Sequence, residues 1–129
     1  MKSKHILLIE PDYILAGIYK DHLEKFNYEV RVCSGVQRAI TEVDIKKPDM
    51  IVLELQLSSH NGYEFLYELR SYTDLDDIPV IIHSMLPEKE SVITDEIKEE
   101  LGIVAYLYKP ATSLGKLHYE LNKQLLVNI

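Results

Sequence analysis

Met50-Ile51-Val52-Leu53 is an unbroken apolar run followed at once by Glu54. A strand with one face in water alternates apolar and polar residues. Four apolar residues in a row, with Pro48-Asp49 before them and turn-forming residues from Ser58 to Gly62 beyond, describe a strand covered on both faces, as in a parallel sheet. Glu54 then stands at the carboxyl edge, where open α/β sheets keep their ligand crevice. A carboxylate at that position either faces water as a plain strand end or belongs to a site, because an unpaired buried charge is too costly. On this stretch alone both readings stay open.

The rest of the chain repeats the pattern. Ile6 to Ile9 read as a buried strand that stops at Glu10-Pro11-Asp12. Asp12 is placed to cap a first helix, with Leu15, Ile18, Tyr19, Leu23 and Phe26 on one face and Asn27 at its exit. Tyr28 to Val32 form the second strand. Ser34 is expected to cap a second helix carrying Val36, Ala39, Ile40 and Val43, closed by Lys46-Lys47-Pro48. After the turn of residues 58–62, a third helix over roughly 63–71 presents Phe65, Leu66 and Leu69. Pro79 opens a strand over Val80 to Ile82 with His83-Ser84 at its carboxyl end. A fourth helix is predicted from about Glu88 to Leu101 with Gly102 after it, then a strand from Val104 to Tyr108. Lys109-Pro110 ends that strand, and Leu114, Leu117, Leu121 and Leu125 mark a fifth helix. Five strands alternating with five helices predict a doubly wound parallel α/β sheet in one domain spanning residues 1–129.

Composition narrows the function classes. A chain of 129 residues with 47% hydrophobic and 27% charged residues is expected to bury one core of its own. The net charge of −7 opposes direct binding to nucleic acid or an anionic membrane. Cys33 is the single cysteine, so no intramolecular disulfide can form; with no signal-peptide core and no membrane-length apolar run, the expected setting is the cytoplasm. The histidines at 5, 22, 60, 83 and 118 lack metal-ligand spacing, which argues against zinc. His83 beside Ser84 is not a triad, for no nucleophile elbow or acid partner accompanies it. A flavodoxin-like nucleotide-binding protein or enzyme is opposed by Glu10-Pro11-Asp12, which sets negative charge where a phosphate loop would follow the first strand.

Glu10, Glu54, Ser84 and Lys109 each end strand 1, 3, 4 or 5, so two carboxylates, a hydroxyl and an ammonium are expected to converge in the crevice. Each alone has a plainer account: Glu10 as a carboxylate favoured by a helix dipole, Lys109 as a strand-end charge, Ser84 as a partner for a backbone group. Their joint placement is what favours a site.

At this point the chain resembles the receiver domain of bacterial two-component response regulators over nearly its whole length. The likeness is carried by Ile6 to Asp12, by Pro48 to Leu55 with Gly62, by Pro79 to Ser84, and by Tyr106-Leu107-Tyr108-Lys109-Pro110. It implies a flavodoxin-like fold with strand order 2-1-3-4-5. Glu54 would occupy the phosphoacceptor position, Ser84 and Tyr106 the switch positions, and Lys109 the position of the family's lysine. No enzymatic activity is implied.

Two departures stand out. The family's acceptor is Asp where this chain has Glu54, and the second member of its metal-binding acidic pair is replaced by Pro11, which leaves a degenerate set of Glu10, Pro11 and Gln56. Mg²⁺ demands near-octahedral oxygen ligation, and a proline ring supplies none, so no cofactor is expected beyond weak Mg²⁺ at most. One methylene shifts a carboxylate by about 1.5 Å, and a misplacement near 1 Å already costs on the order of 10²-fold in such a transfer. The reading is therefore an atypical receiver acting as a phosphorylation-independent interaction module. The alternative is a functional phosphoacceptor holding Mg²⁺ through Glu10 and Asp12. The expected partners are signalling proteins, a histidine kinase or an output domain among them, with a homodimer through the fourth helix, fifth strand and fifth helix left open. Interface candidates there are Tyr106, Tyr108, Lys116 and Tyr119, although Tyr108 could equally be packed under a helix.

Overall fold

The computed structural model describes residues 3–57 and 61–126. Five parallel strands, β1 (Lys4–Ile9), β2 (Tyr28–Cys33), β3 (Met50–Leu53), β4 (Val80–Ser84) and β5 (Ile103–Tyr108), lie in the order β2-β1-β3-β4-β5. The connecting helices are α1 (Tyr13–Glu24), α2 (Val36–Ile45), α3 (Gly62–Arg70), α4 (Asp95–Leu101) and α5 (Leu114–Leu126). This is the flavodoxin-like fold and strand order expected. No helix among the described residues is long and apolar enough to cross a membrane.

The unalternating strands are explained by two cores. Successive strand residues point to opposite faces, so Leu7, Ile9, Ile51 and Leu53 pack under α2, α3 and α4, while Ile6, Leu8, Met50 and Val52 pack under α1 and α5. Every residue of β3 is fully buried. In register, Ile9 pairs with Leu53 and Leu53 with Ile82. That alignment brings the carboxyl ends of β1, β3 and β4 to one edge, where Glu10, Glu54 and Ser84 follow.

Several local expectations need correction. On α1 the buried line is Ala16, Tyr19 and Leu23, while Ile18 and Phe26 are about half exposed; the helix ends at Glu24, and Phe26 lies beyond it, stacked on His118 with ring centroids 3.6 Å apart. Asp12 does cap α1, accepting from the Ile14 and Leu15 amides at 3.0 and 3.1 Å. Gly35, not Ser34, caps α2, with no side-chain bond. β3 covers Met50–Leu53, the four residues of the apolar run, whereas β4 runs on to include His83 and Ser84. Of the turn at 58–62, Ser58, Ser59 and His60 lie outside the described residues.

The largest difference is the fourth helix. Glu88–Glu90 forms a single 3-10 turn and α4 begins only at Asp95. Local polar side chains interrupt the helix: the Ser91 hydroxyl donates to the Glu88 carbonyl at 2.7 Å and accepts from the Ile93 amide at 3.2 Å, and Thr94 caps the Ile97 amide at 3.2 Å. Such bonds offer the backbone an alternative to the helix ladder. Ile93 remains buried, but from a loop. Gly102 ends α4 in the left-handed region at φ +68°, as its position after Leu101 predicts.

Candidate functional site

The charged groups at the strand ends are not at the surface. Glu10, Glu54, Ser84 and Lys109 are all buried, with Glu54 only 3% exposed, which overturns its reading as a solvated strand end. Lys109 leaves β5 through a 3-10 turn formed with Pro110 and Ala111, and its stem runs back over the sheet edge. Its ammonium donates to Glu10 Oε1 at 2.6 Å and to Glu54 Oε1 at 2.8 Å.

Both oxygens of Glu54 are occupied. Oε1 takes the Lys109 ammonium and the Met85 amide at 3.0 Å; Oε2 takes the Ser84 hydroxyl and the Gln56 amide at 3.2 Å. Burial opposes the charge on Glu54, but the donors Lys109, Ser84, Met85 and Gln56 together outweigh it and hold the carboxyl below its ordinary range. Lys109 shows the converse balance: burial disfavours its charge, and the bonds to Glu10 and Glu54 win, raising it. The site is thus a buried Glu10–Lys109–Glu54 bridge at the carboxyl edge of the sheet.

A relay leads from this bridge to β5. The Ser84 hydroxyl that donates to Glu54 also accepts the Leu86 amide at 3.0 Å, and the Leu86 carbonyl accepts the Tyr106 hydroxyl at 2.6 Å. Glu54, Ser84, the backbone of residues 85–86 and half-buried Tyr106 therefore form one connected path. The sequence pointed to both ends of it. The two backbone links at Met85 and Leu86 carry no sequence signal, since any residue supplies an amide and a carbonyl.

Gly62 is needed for a different reason. A Cβ there would stand 3.0 Å from the Glu54 carbonyl and 3.1 Å from Leu55 Cα, so a side chain would press on the chain leaving β3. Asn61, just before it, caps α3 by accepting from the Tyr63 amide at 2.7 Å.

The residues where the resemblance implies Mg²⁺ do not fit that ion. Glu10 spends Oε1 on Lys109 and Oε2 on the Asp12 amide at 3.1 Å, Pro11 has no side-chain donor atom, and Asp12 Oδ1 is committed to capping α1. Gln56 offers the site its backbone amide while its side chain belongs to an exposed residue. The remaining candidates lie outside the crevice. Tyr108 and Tyr119 are exposed, so Tyr108 is not packed under a helix, and Lys116 bonds Glu120 at 3.0 Å while sitting 5.0 Å from the Tyr119 ring centre.

His83 forms no triad with Ser84 and has no metal-ligand spacing, yet it borders the site. It is buried on the opposite face of β4 from Ser84, meets the Tyr19 ring edge-on at 4.9 Å, and its Nδ1 finds no hydrogen-bond partner among the described residues. Burial, with the nearby Lys109 charge, brings it down to about 4, so it is neutral at ordinary pH.

The family model of the response regulator receiver domain matches residues 6–122. The chain belongs to that family. Receiver domains are modules of two-component signalling rather than enzymes in the ordinary sense. This receiver is 33% identical over 93 residues to the transcriptional regulatory protein KdpE of Staphylococcus aureus, covering 72% of this chain and 38% of that protein. It is 29% identical over 121 residues to the KDP operon transcriptional regulatory protein KdpE of Escherichia coli, covering 94% of this chain and 51% of that one. The receiver thus spans about half or less of these curated relatives. Among solved structures, a two-component response regulator from Clostridium difficile superposes with a TM-score of 0.84 over 98% of both chains at 23% identity, a likeness of fold.

Proposed function

We propose that this receiver signals without being phosphorylated, with the Glu54 carboxylate as a permanent charge where its relatives carry a reversible one. The observation that carries the reading is the full occupation of both Glu54 oxygens by Lys109, Ser84, Met85 and Gln56. A carboxylate so engaged is held by donors that would otherwise receive phosphoryl oxygens, and no oxygen of it is left free to attack. The imitation of a phosphoryl group is partial, one charge and two oxygens against a charge of about −1.5 to −2 and three oxygens. Charge-assisted bonds of this kind contribute roughly 1.5–3 kcal/mol each before desolvation, so a net bias of about tenfold toward one state of the Ser84–Leu86–Tyr106 path is within reach.

In this reading the fixed state presents a surface to a signalling protein, a histidine kinase or an output domain being the expected class. The face of α4, β5 and α5 is where a second copy would dock, and exposed Tyr108, Lys116 and Tyr119 lie on β5 and α5.

The test is incubation with acetyl phosphate and Mg²⁺ followed by intact-mass measurement. The natural protein is expected to gain no phosphoryl mass, whereas Pro11→Asp combined with Glu54→Asp regains both Mg²⁺ affinity and acceptor activity. A stable phosphoryl adduct on the natural protein overturns the proposal.

A further inference from the structure

A groove of about 400 Å³ separates α2 from α3, on the side of the sheet away from α1 and α5. Val36, Gln37 and Ile40 of α2 form one wall and Glu64, Phe65 and Glu68 of α3 the other. Val36, Ile40 and Phe65 pack against the core from this side, so the floor is apolar, and Val36 and Ile40 stay only partly covered. Gln37, Glu64 and Glu68 are exposed above it.

The charges of the two helices do not balance at this groove. Arg38, the one cation of α2, is held on Glu42 at 3.0 Å, and Glu42 also takes Arg31 of β2 at 2.6 Å, so both guanidinium groups are committed on the β2 side of α2. Arg70, the one cation of α3, is turned onto the carbonyls of Leu101, Leu75 and Ile78. Lys46 and Lys47, which follow α2, are paired with Glu29 and Asp77 at 2.9 Å each. Glu64 and Glu68 make no ion pair among the described residues, and no cation stands in the lining. Glu64 lies in the first turn of α3, where the helix dipole favours an anion. Glu68 is a turn further on, beyond that influence, and the two carboxylates repel as like charges at i and i+4.

We propose that this groove is a docking site for an arginine-bearing segment of a partner protein, the arginine stem on Val36, Ile40 and Phe65 and its guanidinium across Glu64 and Glu68. The lining selects the occupant. An apolar floor that ends at two unpaired carboxylates matches a side chain that is apolar along its stem and cationic at its tip. Arginine suits it better than lysine, because a planar guanidinium with five donors reaches two carboxylates whose Cβ atoms on adjacent turns stand about 5–6 Å apart. An acidic segment meets like charge with no cation to answer it, and a purely apolar one desolvates two carboxylates without pairing them. Because both carboxylates are exposed, the groove does not enclose a free small cation as ligand pockets do; chain on either side of the arginine is needed to cover it. The site uses none of the groups of the Glu54 bridge, so it stands or falls separately from the fixed-charge reading.

The probe is a short Gly and Ser peptide with Leu-Arg-Leu at its centre, titrated into the intact chain and followed by backbone amide chemical shifts. The expected result is saturable shifts gathered on residues 36–40 and 64–68. Binding is expected to weaken by about tenfold when the arginine is replaced by citrulline, its uncharged isostere, and by a similar factor in Glu64→Gln combined with Glu68→Gln. Both positions are exposed, so these substitutions leave the fold in place. Glu99→Gln combined with Glu100→Gln removes the same two charges from α4, outside the groove, and is expected to leave the affinity unchanged. Equal weakening by the α4 pair overturns the proposal in favour of diffuse attraction to an acidic protein. Shifts that fall elsewhere, undiminished binding of the citrulline peptide, or no binding of the arginine peptide overturn it too. Acetyl-arginine amide binding as tightly as the peptide also overturns it, since the groove is then a subsite for small cations and not a docking surface.

Discussion

The Tyr106 hydroxyl donates to the Leu86 carbonyl at 2.6 Å, which fastens the aromatic ring of β5 to the loop leaving β4. The same residue gives its amide to the Ser84 hydroxyl, so the loop is held through both peptide units that flank the Leu86 Cα. Burial raises the phenol of Tyr106 above its usual range, in keeping with a hydroxyl that stays protonated and donating.

Tyr106→Phe keeps the ring and deletes the bond. The expected cost is about 1 kcal/mol in a urea unfolding experiment, the usual net worth of one such bond. The finer expectation is local. Amide exchange at Met85 and Leu86 accelerates while that of β3 is unchanged, because the loop loses an anchor and the sheet does not.

The charge bridge makes the order of two substitutions predictable. Glu54→Gln leaves Lys109 paired with Glu10 and is expected to cost about 1.5–3 kcal/mol, the range for one charge-assisted bond. Lys109→Met leaves Glu10 and Glu54 buried without their cation and costs about 3–5 kcal/mol. Urea midpoints of the two variants at neutral pH check the order; a milder effect for Lys109→Met contradicts the bridge.

Acid stability should fall in two stages. His83 is depressed from 6.5 to about 4 in the folded chain, so between those values the unfolded state binds the extra proton and stability declines as pH falls, by about 3 kcal/mol over the full interval. Glu54 is also depressed, so its contribution is intact above the ordinary carboxylate range and is lost as pH drops through its lowered folded value. Lys109 is raised, so its share fades only as pH rises beyond the usual lysine range. His83→Leu removes the first stage and leaves the second, which a set of urea midpoints from pH 7 to pH 3 would reveal as a flatter upper limb.

Arg70 organises the end of α3. Its guanidinium donates to the carbonyls of Leu101, Leu75 and Ile78 at 2.8, 3.0 and 2.5 Å, joining α3, the acidic loop after it and the end of α4. Arg70→Ala strands these acceptors and is expected to cost roughly 3 kcal/mol. Gly102→Ala also meets Arg70, since its Cβ would stand 2.6 Å from the guanidinium, in addition to the strain of a positive φ. The double variant is therefore less destabilised than the sum of the singles, by about 1 kcal/mol in a double-mutant cycle.

What the sequence determined by itself was the period of each segment and the chemistry at each strand end. Unalternating Met50 to Leu53 demands cover on two faces, and the three-four spacing of Leu114, Leu117, Leu121 and Leu125 demands one apolar helix side; both come from local geometry that no tertiary contact can alter. The doubly wound parallel sheet and the convergence of Glu10, Glu54, Ser84 and Lys109 followed from those patterns, while the strand order came from the resemblance to receiver domains. Only the tertiary structure decided that Glu54 is enclosed rather than solvated, because burial depends on Lys109, fifty-five residues away, crossing the sheet edge to neutralise it. It also decided where the fourth helix begins. The apolar spacing of Ile93, Ile97 and Leu101 is the same whether residue 93 sits in a helix or a loop, and the balance was tipped by the bonds of Ser91 and Thr94 to nearby backbone groups.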